Sequence, residues 1–360
     1  MRKLATIQKI KSINPIPNAD KIEIVEMEDL GWQVIVNKGQ YNVGDKVIYV
    51  EIDSLLPEKP EFEFLRDRKF KIKTMKLRGA ISQGICFPMS ILPNSDKYVV
   101  GDDVTEVLGI TNYKDQEEEK DPVIPTNKNK FLNFLFKFTI TRPIGKFILN
   151  LIRQKKEKWP SFLPHTDEER IQNDSNFFKR VTSYYCTEKI DGCSASFFFL
   201  KKRFGYEFGV CSRKIYLKTK HPCYWWNIAD KYDIEAKLRK LNIDIYIQGE
   251  IVGPSICKNK YQLTEHRFFI FNAYLLKEKR FMSYDEMAML SLELKCGIVP
   301  WVYIDNSIPT NTQEWVEFSK GNSFLNKNIL REGIVVRSND TNIKNSIKVI
   351  NPEFLLKYKE

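Results

Sequence analysis

The stretch Tyr184-Tyr185-Cys186-Thr187-Glu188-Lys189-Ile190-Asp191-Gly192 puts a lysine at the end of a strand-like run, a carboxylate two residues on and a glycine after it. A lysine ammonium is not a nucleophile. Its reference pKa of ~10.4 lies roughly three units above neutrality, a gap of about 4–5 kcal/mol that a metal ion or desolvation must offset. The lysine therefore gains meaning only from what accompanies it.

The 360-residue chain is long for one domain, so two cores are expected. Its net charge of +11 favours a polyanionic partner without choosing between RNA, DNA and acidic lipid. Seven cysteines with no Cys-x-x-Cys pair give neither a disulfide framework nor a zinc ribbon, and three histidines argue against a histidine-rich metal site. Nothing near Met1 has the long apolar run of a signal peptide. A reduced intracellular compartment, cytoplasm or nucleus, is expected.

Residues 1–112 read as all-β. Apolar runs at 21–27, 32–36 and 47–50, with a turn at Gly44-Asp45, fit a small oligonucleotide-binding (OB) barrel. Arg66, Arg68, Lys69, Lys71, Lys73, Lys76 and Arg78 then crowd one segment. On a strand, Lys69, Lys71 and Lys73 share a face, opposite Phe70 and Ile72, and with Arg78 form a candidate phosphate-tracking stripe. The alternative is a solvated strand face. Residues 113–158 read as a linker and insertion, acidic over 116–121 and apolar over 131–152. Lys137, Arg142, Pro143, Gly145 and Lys146 argue against a membrane-spanning helix there.

Residues 159–360 mix strands and helices, an α+β domain on antiparallel sheets. Ser283-Tyr284-Asp285-Glu286 is a capping box opening a helix with Met287, Leu290 and Leu294 on one face, which Gly297 is expected to close. Further helices are expected at 233–241 and 313–320, and strands at 195–200, 246–248, 267–271 and 334–337. Five elements follow Lys189 in order. They are Cys211-Ser212-Arg213, Gln248-Gly249-Glu250-Ile251-Val252-Gly253, Phe268-Phe269-Ile270-Phe271-Asn272, Arg331-Glu332-Gly333-Ile334-Val335-Val336-Arg337 and Ser346-Ile347-Lys348-Val349-Ile350.

That order is similar to motifs I, Ia, III, IIIa, IV and V of the covalent lysyl-nucleotidyl transferases, the ATP-dependent ligases and RNA capping enzymes. Each motif alone is weak, whereas the ordered set is specific. The resemblance implies an adenylation domain with ATP-grasp-like antiparallel sheets, in which Lys189 attacks the α-phosphorus of ATP. Asp191, Glu250 and Glu332 would hold Mg2+ or Mn2+, mostly through water. Lys348 would neutralise the α-phosphate, Arg213 contact the ribose, Phe271 stack on adenine, and Glu188 join the nucleotide site.

With twelve residues after Lys348, no second barrel is expected there. The barrel precedes the adenylation domain instead. Together with Trp159-Pro160-Ser161-Phe162-Leu163-Pro164, Thr166-Asp167-Glu168-Glu169-Arg170-Ile171-Gln172-Asn173 and Lys76-Leu77-Arg78-Gly79-Ala80-Ile81-Ser82-Gln83-Gly84, this resembles the Naegleria-type RNA ligase family. The resemblance implies sealing of 3′-OH and 5′-phosphate RNA ends, at nicks in duplex RNA, by a monomer. One departure is Ile350, where related ligases have a second lysine two residues after Lys348. The alternatives are a DNA ligase or capping-type transferase, and an RNA-binding protein without catalysis.

Overall fold

The computed structural model describes residues 2–114, 156–164, 167–174, 176–304, 308–342 and 345–358. The expected acidic linker and the 131–152 insertion lie outside these residues.

The N-terminal part is an OB-fold barrel. Its sheet comprises β1 (Ala5–Pro15), β2 (Ile22–Met27), β3 (Gln33–Asn37), β4 (Lys46–Val50) and, past a hairpin of β5 (Met75–Leu77) and β6 (Ala80–Ser82), β7 (Ile85–Pro88). The strand order is β3-β2-β1-β4-β7. One strand serves two partners: Ala5 to Lys9 pair with β4, and Ile10 to Pro15 with β2. The register shift between Ile10 and Ser12 marks the bend, the usual device for curling a sheet. The Gln83 N–H donates to the Gln33 carbonyl at 3.1 Å and returns the far edge to β3. Ile7, Val25, Trp32, Val34, Val47 and Tyr49 fill the barrel.

The expected lysine strand is absent. Residues Pro60–Arg68 form a 3-10 helix, and Lys69 and Phe70 turn out of it with left-handed backbone (φ 53° and 56°). Phe70 and Ile72 are buried as expected. Lys71 and Lys73 lie 4.5 and 5.7 Å from the same Tyr113 ring centroid and so share a face, whereas the left-handed backbone at Lys69 and Phe70 takes Lys69 out of their row. Arg78 sits at the exposed tip of the β5–β6 hairpin, between Leu77 and Gly79.

The C-terminal part has two sheets. The larger contains β10 (Cys193–Lys201), β11 (Tyr206–Cys211), β12 (Ile245–Val252) and β13 (Arg267–Leu275) in the order β11-β10-β12-β13, extended on both sides by short strands. The smaller has the order β8-β15-β14-β9, from β8 (Glu169–Arg170), β15 (Ser346–Ile350), β14 (Gly333–Ser338) and β9 (Tyr184–Lys189). Lys189 ends the smaller sheet and Cys193 opens the larger, so the 190–192 turn is the crossing between them. Between the sheets, Ile190, Val252, Tyr261, Val299 and Ile329 form a small core.

The capping box at Ser283 forms in full and opens α1 (Tyr284–Leu294), with Met287, Leu290 and Leu294 buried. Gly297 does not close it: Lys295 takes the left-handed cap (φ 55°). Gly297 instead lies in a short strand where the Phe269 ring leaves no room for a Cβ. The last helix, α2 (Pro352–Tyr358), leaves the C-terminal part and buries Phe354 and Leu355 in the barrel core. Among the described residues no helix is long and apolar enough to cross a membrane.

Candidate active site

Strand register assembles the candidate residues. Lys189 lies opposite Gly333, one residue from Glu332. Glu250 on β12 lies opposite Ser194 on β10, next to the crossing turn. Lys348 pairs with Val335 on one side and Arg170 on the other. Two glycines permit the close approach. A Cβ on Gly192 would meet the Ile251 carbonyl and lie 2.9 Å from Glu250 Cγ. Gly333 has φ +156°, and a Cβ there would press on the Val349 carbonyl.

Lys189 Nζ donates to Glu332 Oε2 at 2.7 Å, with the two side chains 27% and 13% exposed. Burial pulls the Lys189 ammonium down, but the Glu332, Glu250 and Asp191 carboxylates outweigh it and hold it above the ordinary lysine value. Without ligands the lysine is thus a resting cation. Burial raises Glu250 to about 8, with Glu332 and Asp191 adding to the rise and Lys189 opposing it. The Asp191 carboxylate is paired with Lys260. Among the described residues, no three acidic, histidine or cysteine side chains converge to enclose a metal directly. The all-carboxylate donor set suits a hard cation that keeps its waters.

Beside the carboxylates lies a cationic counterpart. Lys348 is pulled down to about 7 by burial first, then by Arg170, Arg2 and Lys189. Arg170 is 3% exposed. Its Nη2 bonds Asp53 of the barrel at 2.9 Å, while Nε and Nη1 are buried without a partner. Unpaired buried donors beside a crowded lysine make a site for an anion. Lys348→Met is therefore expected to raise the ligand-free melting temperature at pH 6. The sign follows from the lowered value: holding the charged lysine costs most below pH 7, and the cost fades as pH rises toward ~10.4, so the variant's advantage should vanish at pH 10. Pyrophosphate should stabilise the wild type and not the variant in the same melts.

The other candidates are dispersed. Phe271 is half-buried on the inter-sheet face of β13, 5.9 Å from the Arg337 guanidinium, while Phe268 is core. Arg213 bonds Asp167 at 3.2 Å. Glu188 is buried and accepts from the Phe324 N–H at 2.8 Å, on the other side of β9 from Lys189. Lys69, Lys71, Lys73 and Arg78 all belong to the barrel part. Arg170, Lys260 and Tyr261 were not singled out from the sequence. Arg170 lies in a stretch quoted only for its resemblance, and Lys260 and Tyr261 lie in a loop with no periodic pattern.

An OB-fold domain model matches residues 4–89, and the RNA ligase family model matches residues 182–357. The structure of Naegleria gruberi RNA ligase with PPi superposes with a TM-score of 0.80 at 29% identity, covering 100% of this chain and 99% of that one. The chain belongs to the Naegleria-type RNA ligase family. Variants of the Naegleria gruberi enzyme, one with AMP and Mn and one with ATP and Mn, superpose with the same score at 29% and 28% identity, each covering 99% of both chains. No curated protein matches the chain in sequence. By family and fold the chain is an ATP-dependent RNA ligase.

Proposed function

We propose that this ligase uses ATP and a divalent cation, Mg2+ or Mn2+, to join 3′-OH and 5′-phosphate RNA ends at nicks in duplex RNA, acting as a monomer. The observation that carries this reading is the Lys189–Glu332 ion pair at the crossing of the two sheets, flanked by Glu250 and Asp191 and facing Lys348 and Arg170. The carboxylates alone hold the amine protonated. A divalent cation bound through water to Glu250, Glu332 and Asp191 supplies the positive field that favours the neutral amine.

Neutral Lys189 then attacks the α-phosphorus. A nitrogen–phosphorus bond forms, the bond to the β-phosphate oxygen breaks, pyrophosphate leaves and the amine releases a proton. Lys348 and Arg170 neutralise the phosphates in flight, and Phe271 and Arg213 take the base and ribose. In the second step a 5′-phosphate oxygen of RNA takes the AMP from Lys189. In the third, the 3′-OH attacks that phosphate and AMP departs.

Residues 1–112 present the RNA, through Lys69, the Tyr113-backed Lys71 and Lys73, and Arg78 at the hairpin tip. Arg78→Glu is expected to weaken RNA binding several-fold and to reduce the salt slope by about one. Adenylylation without RNA should not change. Sealing of nicked duplex RNA, nicked DNA and unpaired RNA ends, with ATP against GTP, tests the assignment. RNA nick sealing with ATP should dominate, and preferential use of DNA or GTP would overturn it.

A further inference from the structure

Asp191 is gripped from two sides by one loop. Residues 253–263 follow β12, the strand that carries Glu250, and fold back over the 190–192 turn. Left-handed backbone at Ser255, Cys257, Lys258, Asn259 and Gln262 curls this loop. Asn259 clasps it, donating from Nδ2 to the Leu263 carbonyl at 2.9 Å and accepting the Leu263 N–H at 3.0 Å. The curl delivers two groups. The Tyr261 hydroxyl accepts the Asp191 N–H at 2.8 Å, and the Lys260 ammonium pairs with the Asp191 carboxylate.

The Lys260 side chain is 7% exposed, against 13% for Asp191. On its other side the ammonium lies 5.0 and 5.2 Å from the ring centroids of Phe354 and Tyr358. Those rings belong to α2, the helix seated in the barrel core. A desolvated ammonium between aromatic faces and a carboxylate has one favourable direction, unlike an exposed lysine whose pairing is loose and screened. The turn carrying Asp191 lies outside any regular element, so its carboxylate takes its direction from these neighbours.

We propose that Lys260 is a positioning residue. It fixes the Asp191 carboxylate relative to Lys189 and ties that direction to the docking of α2 on the barrel. The proposal rests on the reading that Lys189 carries the nucleotide.

Single-turnover formation of the protein–AMP adduct tests it. Lys260→Met should slow the step by about ten-fold or more, with the ATP concentration dependence moved by no more than about three-fold and the circular dichroism spectrum kept. Lys260→Arg, which keeps the charge and the ring contacts, should recover most of the rate. Tyr358→Leu, which removes one ring and leaves the ion pair, should slow the step by about three-fold. In an Asp191→Asn background the Lys260→Met loss should disappear, because the two residues act as one unit. A Lys260→Met rate within about two-fold of wild type overturns the proposal, as do losses that multiply in the double variant. Wild-type protein that forms no adduct would sink the nucleotide reading itself, whereas adduct formation indifferent to Lys260 would sink this proposal alone.

Discussion

Lys189→Ala should form no protein–AMP adduct with labelled ATP and Mg2+, a loss of three or more orders of magnitude, because no other amine occupies its place. Lys348 stands two strands away, on β15 beyond β14, beside Arg170 and Arg2. The same variant should still join an RNA whose 5′-phosphate already carries AMP. That last step breaks a bond between two phosphates and needs the metal and the phosphate-facing cations, not the nucleophile. Loss of both activities with retained circular dichroism would show that Lys189 does more than carry the nucleotide. Retained adduct formation would remove the basis of the proposed mechanism.

Asp53→Asn should destabilise the protein by about 3 kcal/mol or more, read by urea unfolding at pH 7, because removing one member of a buried charge network strands its partners. Asp53 is buried and receives Arg2 at 3.0 Å, Arg170 at 2.9 Å and Lys114 at 3.3 Å. Burial alone would raise its carboxyl, yet Arg170, Lys114 and Arg2 hold it far below the usual carboxylate range. A depressed value contributes stability above the unfolded pKa of ~3.9 and loses it as pH falls below that. The difference between wild type and variant should therefore be full at pH 7 and shrink below about pH 4. Asn tolerates the left-handed backbone at this position (φ 74°), so the substitution isolates the charge. Since Asp53 also anchors Arg170, adduct formation should fall by about ten-fold or more. Unchanged stability would mean that the charge network around Asp53 does not help hold the barrel to the adenylation part.

The chemistry was legible where strand ends carried it. Lys189, Glu250, Glu332 and Lys348 each lie on or beside a short apolar run of strand character, so their order could be read without knowing their distances. Glu188 shows the limit of that reading. It is adjacent to Lys189, and adjacency on a strand sends its carboxylate to the other side. Backbone conformation was hidden as well. The apparent alternation through Lys69, Lys71 and Lys73 is broken by two left-handed residues, and Lys295 rather than Gly297 caps α1. Such φ values at non-glycine residues leave no composition signal. Lys260 was out of reach because its role depends on a loop folding back and on a helix nearly a hundred residues later. Arg170 was visible only as part of a resemblance, since its unpaired donors appear when β8 pairs with the lysine strand.

The central claim is that one amine, held as an ion pair at rest, becomes the carrier of a nucleotide. Intact-protein mass measurement after incubation with ATP and Mg2+, followed by peptide mapping, tests it most directly. The account predicts one added AMP on the peptide containing Lys189, removed on addition of nicked duplex RNA bearing a 5′-phosphate. An AMP on any other residue, or none at all, would contradict it.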